Sequence, residues 1–408
     1  MNHVERNTCR IDGSPLEEVL DFGSIYPSNF VDKNNSSVKV PLVLSKGTTS
    51  NLVQLKHTMD RDVLYRNYWY RSDLNSSMVD SLKDVVQNIY RRTSIFDFDI
   101  VVDIGANDGT MLSMFEKGIT VGFDPANNLT DVAKERTTHF INDYFSKEKY
   151  TLSEKAKVIT SIAMFYDLED PNTFIQDVRS ILALNGFWVI QLTDLMSMFK
   201  VNAFDNIVHE HLEYYSLEVL NDLMERNGLH IFDVSYNRVN GGSIRVYVGH
   251  AGFRLTYGRM TRALEHEQKY MTSFDDPWSA FTERVERIKE TTMNFIYDQT
   301  NTGKMIYGMG ASTKGNTLLQ YFDLTHNEIP LIAEVNKDKF GLKTIGTNIP
   351  IIPEVVALGT SPDYFLVLPW HFIDNFVERN KSYLEAGGKF IVPCPEPAII
   401  SKDGKELL

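Results

Sequence analysis

The stretch DIVVDIGANDGTML, Asp99 to Leu112, constrains this chain more than any other. A β-branched apolar run enters a turn holding Gly105 and Gly109 and leads toward a helical segment; the next strand, ITVGFDPA, closes on Asp124 and Pro125. Strand, glycine turn, helix, strand and acid is the layout of a doubly wound nucleotide site. The two glycines let the backbone approach a ligand without a side chain in the way. The spacing is DxGxNxG, not GxGxxG, and it suits S-adenosylmethionine, which has no pyrophosphate to seat on the helix. Asp124 is expected to take both ribose hydroxyls and Asp103 to meet the amino-acid portion, with Gly105, Asn107, Gly109 and Pro125 completing the site.

The α/β pattern continues on both sides. A helix is expected through SSMVDSLKDVVQNIYRR, strands at KVITSIAMFY and GFWVIQLT with a helix across NTFIQDVRSILALNG between them, and a closing strand at GGSIRVYVGH. Phe165, Tyr166 and Asp167 follow one of these strands at the end where open sheets bind ligands, so they are candidates for lining the cleft. Residues 252–300 read as a charged helical connector. A second unit starts at KMIYGMGASTKGNTLL, where Gly308, Gly310 and Gly315 lie between strand and helix and Lys314 is placed to meet a phosphate. PLIAEV, DYFLVLPWHF and GGKFIVPCP supply its later strands. Which of the two glycine-rich units holds the cofactor stays open at this level.

The first 85 residues are turn-rich, with short apolar runs (VPLVL, NLVQL), and end near a crowd of aromatics: Tyr65, Tyr68, Trp69 and Tyr70, just before Ser72. The expected division is therefore 1–85, 86–250 and 251–408. A formal net charge of −13 argues against a nucleic-acid surface, leaving small molecules as expected partners. No run of eighteen apolar residues suggests a membrane span, the amino terminus lacks a signal-peptide layout, and two cysteines are too few for a disulfide framework, so the expected location is the cytoplasm. Whether the chain acts as a monomer or a dimer is not legible.

NIVHEHLEYYS, Asn206 to Ser216, carries the densest proton chemistry. A metal reading is weak: HExxH sets two histidines one helical turn apart, whereas His209 and His211 are two residues apart. On a strand they share one face with Glu210 opposite, but no third ligand is evident. The remaining readings are a polar structural cluster or a general base.

Together these segments resemble the C-methyltransferases of nucleotide-diphosphate sugars. The resemblance spans nearly the whole chain: LDFGSIYPSNF, NLVQL, YWYRS, DIGANDGT, FDNIVHEHLEYYS, NGGSIRV, GASTKGNTLL, IGTNIPI, DYFLVLPW and GGKFIVPCPEP, in order. It implies an α/β protein in which a class I, Rossmann-like methyltransferase domain lies between a small irregular zinc-binding-like domain and a second Rossmann-like domain. It also implies C-methylation of a 4-ketosugar, at C3, with His211 as the base that forms an enolate. Glu210 is then expected to orient His211 or bind a sugar hydroxyl. Tyr70, Tyr166, Tyr214 and His209 are candidate donors to the enolate oxygen, and Tyr166, Tyr214, Ser72 and Lys314 candidate substrate contacts. Relatives carry four cysteines for one structural zinc; here Cys9 matches the first, and Asp12, Gly47 and Ser50 fall near the other three, so a lobe without zinc is expected. Relatives also have tyrosine where this chain has Val208. Transfer to oxygen or nitrogen, and an inactive sugar-binding relative, are the alternatives.

Overall fold

The computed structural model describes residues 3–32 and 38–408. In the amino-terminal lobe, strands Leu16–Ile25, Val40–Gly47 and Val53–Leu55 form an antiparallel sheet. A fourth strand, Glu213–Tyr214, arrives from the middle of the chain and pairs with Val53–Leu55. The segment just after His211 is therefore built into this lobe. The expected division at residue 85 includes residues 1, 2 and 33–37, which lie outside the described residues, and it cuts the helix Ser76–Tyr90. Asn75 caps that helix through Ser77 N–H; of its buried residues, Leu82, Val85, Val86 and Ile89 pack on the central sheet and Met78 lines the cavity described below. Residues 76–85 thus belong physically to the central unit.

The four positions matched to zinc ligands do converge. Cys9 Sγ lies 3.1 Å from Ser50 Oγ. A Cβ built on Gly47 would sit 3.0 Å from Cys9 Sγ. Asp12 bonds the Ser14 amide and hydroxyl, and burial raises the Cys9 thiol, opposed by its bond to Ser50.

The central sheet has seven strands in the spatial order Leu229–Asn237, Ser243–His250, Leu182–Leu192, Ala156–Ile162, Ile100–Ile104, Ile119–Phe123 and His139–Ile141. The last five run parallel and the first two add an antiparallel hairpin. Strand order reverses between Ile100–Ile104 and Ala156–Ile162, and the crevice beyond their carboxyl ends is where open α/β sheets bind ligands. Two local expectations fail. The segment after the glycine turn forms only a 3₁₀ turn, Leu112–Met114, because positive φ at Asn107 and Gly109 and the return to Ile119 leave no room for helix. The helix across NTFIQDVRSILALNG stops at Ile181, since Leu182 turns extended and pairs with Ala156.

The connector consists of helices Gly258–Met271 and Pro277–Asn301. It is less solvated than its charge suggests: buried Glu267 accepts the Leu217 and Glu218 amides, and the second helix buries Trp278, Phe281, Val285, Ile288 and Ile296. The carboxy-terminal sheet also has seven strands, five parallel and two antiparallel at its end. Among the described residues no helix is long and apolar enough to cross a membrane.

Candidate active site

Residues of all three units line one cavity of about 680 Å³, a volume typical of small-ligand sites. One group of walls comes from the glycine turn. Asp103 ends the Ile100–Ile104 strand and accepts the Thr160 hydroxyl at 2.7 Å; burial lifts its carboxyl to about 7, with the Thr160 bond opposing. Gly105 has φ +79°, and a Cβ there would stand 2.9 Å from the Met164 side chain. Asn107 N–H donates to Asp124 Oδ2 at 2.8 Å and Ala126 N–H to Oδ1 at 2.9 Å, fixing the carboxylate while each oxygen keeps a lone pair for a ligand. Pro125 lines the wall beside it. The Asn107 side chain also accepts Ser72 N–H and donates to the Tyr70 carbonyl, stitching the YWYRS segment over the turn.

Two expected cofactor contacts lie elsewhere. Gly109, at φ +76°, faces Ala133 and Arg136 and is absent from the cavity wall; its freedom makes the turn. Phe165 is fully buried among Phe174, Trp188 and Tyr215, because the 3₁₀ turn Phe165–Asp167 directs it into the core and presents Met164 and Tyr166 to the cavity.

The other walls come from HEH and its surroundings. The motif is neither helix nor strand but a turn, closed by His211 N–H to the Val208 carbonyl at 3.1 Å. The turn sends the two histidines apart. His209 Nε2 meets the Val40 carbonyl at 3.1 Å inside the amino-terminal lobe, off the cavity, and burial lowers its pKa to about 4. It therefore braces the lobe and is out of reach as an enolate donor. His211 lines the cavity, with its ring centroid 4.3 Å from that of Tyr166. His211 Nδ1 lies 2.7 Å from the Asn206 carbonyl, which only accepts, so Nδ1 carries the proton and Nε2 keeps its lone pair. Burial and then the charge of Lys314 lower its pKa to about 3, keeping the ring neutral at physiological pH.

Orientation of His211 thus comes from Asn206, not Glu210. The Glu210 side chain lines the cavity with Oε2 buried and unpartnered, and burial raises its carboxyl to about 7. Tyr214 also misses the cavity: it lies behind His211 with its hydroxyl donating to the Asn206 carbonyl at 3.3 Å. Tyr70, Ser72, Tyr166 and Lys314 do line it. Tyr65, Tyr68 and Asp167 join them; the Tyr65 hydroxyl donates to the Glu210 carbonyl at 2.5 Å, and burial holds Asp167 well above the usual carboxylate range. Asn206, whose role the sequence did not reveal, sits in the FDN run next to HEH, and nothing in the sequence tells a buried hydrogen-bonding asparagine from a turn residue. Among the described residues no cluster of three or more histidine, cysteine, aspartate or glutamate side chains suits a metal.

S-adenosylmethionine fits the first group of walls. Gly105 leaves a cradle that a side chain would fill, Asp124 offers fixed acceptors beside it, and the carboxyl of Asp103 lines the same cavity and could receive a charged amino group. When bound, that cofactor supplies an electrophilic methyl group.

The chain is similar in sequence to known proteins. Residues 238–395 match the C-methyltransferase C-terminal domain family and residues 71–234 match a methyltransferase domain family. The C-methyltransferase NovU of Streptomyces niveus is 32% identical over 407 residues, covering 97% of each chain. Among solved structures, magnesium protoporphyrin IX methyltransferase ChlM of Synechocystis PCC 6803, with bound SAM, is 9% identical with a TM-score of 0.33, covering 42% of this chain and 79% of its own. The YcgJ protein of Bacillus subtilis is 14% identical with a TM-score of 0.35, covering 42% of this chain and 100% of its own. The chain belongs to the C-methyltransferase family and is an S-adenosylmethionine-dependent methyltransferase.

Proposed function

We propose that the enzyme methylates C3 of a nucleotide-diphosphate 4-ketosugar through an enolate, with His211 as the general base. The observation that carries this reading is the 2.7 Å bond from His211 Nδ1 to the Asn206 carbonyl, which leaves Nε2 as a neutral acceptor in the cavity that Asp103 and Asp124 also line. Transfer to carbon needs such a base, because a C–H bond beside a ketone must first be broken; transfer to oxygen or nitrogen does not. Positioned general-base catalysis contributes about 10²–10⁴-fold. Glu210, free of protein partners at Oε2, and the Tyr70 and Tyr166 hydroxyls are then left for sugar oxygens. Deoxysugar biosynthesis in the cytoplasm suits a chain whose two cysteines, Cys9 and Cys394, are buried and unpaired.

Mass spectrometry of a panel of nucleotide 4-ketosugars incubated with labelled S-adenosylmethionine tests the substrate class. One of them should gain a single methyl group bonded to carbon. Labelling on oxygen or nitrogen alone would refute the reading.

A further inference from the structure

The carboxy-terminal unit has the strand, glycine loop and helix of a nucleotide site, in Ile306–Met309 and Thr313–Tyr321. Yet its own side chains occupy that site. Ala311 N–H donates to Glu334 Oε2 at 2.8 Å and Gly315 N–H to Ser312 Oγ at 2.9 Å, so amides that a phosphate would need are taken. Glu334 Oε1 takes Val335 and Asn336 N–H, and Lys339 Nζ bonds the Ala311 carbonyl at 2.7 Å. Pro369 covers Gly310, where a Cβ would meet it at 2.7 Å.

Lys314, in the first turn of that helix, points away from the glycine loop. Its Nζ donates to the Asn206 side-chain oxygen, and it lines the catalytic cavity with His211 and Glu210. Asn206 therefore holds two groups at once: its main-chain carbonyl orients the His211 ring and its side chain holds the lysine. Burial lowers the pKa of the Lys314 ammonium and the charge of Asp205 opposes that, while Asp205 Oδ2 is itself taken by Trp370 Nε1.

We propose that Lys314 is a catalytic residue that stabilises the enolate oxygen formed during proton abstraction, an inference that rests on the reading of His211 as the base. In the step, His211 Nε2 takes the proton from the carbon beside the ketone. The C–H pair becomes the C=C bond, the carbonyl π pair moves onto oxygen, and the Lys314 ammonium donates a hydrogen bond to that oxygen. No other reactant is needed. The carbonyl oxygen is two bonds from the carbon that loses its proton, so a cation sharing Asn206 with the base is set for that oxygen and not for a diphosphate further along the sugar.

The test is exchange of the C3 proton of thymidine diphosphate-4-keto-6-deoxyglucose with deuterium oxide, followed by NMR on the full-length enzyme at saturating sugar. Lys314→Gln and Lys314→Met are measured side by side, with S-adenosylhomocysteine binding by calorimetry reporting that each is folded. The expected result is exchange by the wild type and a loss of about 10²–10³-fold in the variants, the usual consequence of removing one oxyanion donor. Wild-type exchange at saturation in either folded variant, including the case where only the apparent sugar affinity falls, overturns the role of Lys314 and leaves the base reading standing. Absence of exchange in the wild type overturns the base reading itself.

Discussion

Glu210 should make the protein less stable as pH rises, and Glu210→Gln should abolish that effect. Burial raises its carboxyl from an ordinary 4.5 to about 7. The folded state therefore holds a proton that the unfolded chain has released, and stability present below pH 4.5 is lost as pH climbs through 7. Each pKa unit is worth about 1.4 kcal/mol, so between pH 5 and pH 8 this one group costs about 2.5 kcal/mol. Glutamine mimics the protonated carboxyl in size and hydrogen bonding and does not titrate. The stability advantage of the variant over the wild type should widen by about 2.5 kcal/mol between pH 5 and pH 8. Urea denaturation of both proteins at the two pH values, followed by tryptophan fluorescence, reads this directly. A stability difference that stays the same at both pH values would refute the reasoning, because Glu210 would then be ionised in the folded state at pH 5.

His211→Asn should keep S-adenosylmethionine binding within a few-fold by calorimetry while losing about 10²–10⁴-fold in methyl transfer and in solvent exchange of the sugar proton; normal turnover would remove His211 from the chemistry. Gly105→Ala should weaken cofactor binding by at least about tenfold, since φ is +79° and the new methyl would stand 2.9 Å from Met164. Gly23→Ala, at φ +74° with nothing within 4 Å, carries a similar backbone cost and should leave affinity unchanged. The triple change Asp12→Cys, Gly47→Cys and Ser50→Cys should create a site that retains about one zinc per chain through dialysis and raises the melting temperature, because those positions already surround Cys9; a protein that emerges metal-free would contradict the convergence.

The parts of the site carried by regular structure were legible. DIGANDGT leaves a strand through a glycine turn, so the pattern places Gly105, Asn107 and Asp124 at one cleft, and the cavity wall contains all three. What failed was direction. Phe165 and Tyr166 are neighbours, and only the 3₁₀ turn they share decides which enters the core. His209 and His211 have strand spacing yet point apart, because the chain at HEH follows a turn whose path is set by other partners, Val40 for one ring and Asn206 for the other. Periodicity speaks about elements, and no periodicity describes a turn. Lys314 was visible as a cation in a glycine loop; that the loop is closed by Glu334, Ser312 and Lys339 depends on residues up to 25 positions away in sequence.

The amino-terminal lobe explains why such a turn holds its shape. Arg10, the residue after Cys9, reaches into the interior, where it donates to the Leu55 carbonyl at 2.9 Å and lies 3.5 Å from Glu213. Glu213 in turn accepts Leu168 N–H, and Leu212 N–H donates to the Tyr166 carbonyl at 2.7 Å. These contacts run from Arg10 to both sides of the HEH turn without passing through the cluster of Cys9, Asp12, Gly47 and Ser50. Among the described residues, Arg10 Nε and Glu213 Oε1 have no hydrogen-bond partner and meet only as a buried ion pair, and removing one partner of such a pair costs about 3–5 kcal/mol because the other charge is left buried alone. The amino-terminal lobe is therefore tied to the HEH turn through Arg10 and the strand Glu213–Tyr214, by contacts that use none of the side chains of Cys9, Asp12 and Ser50.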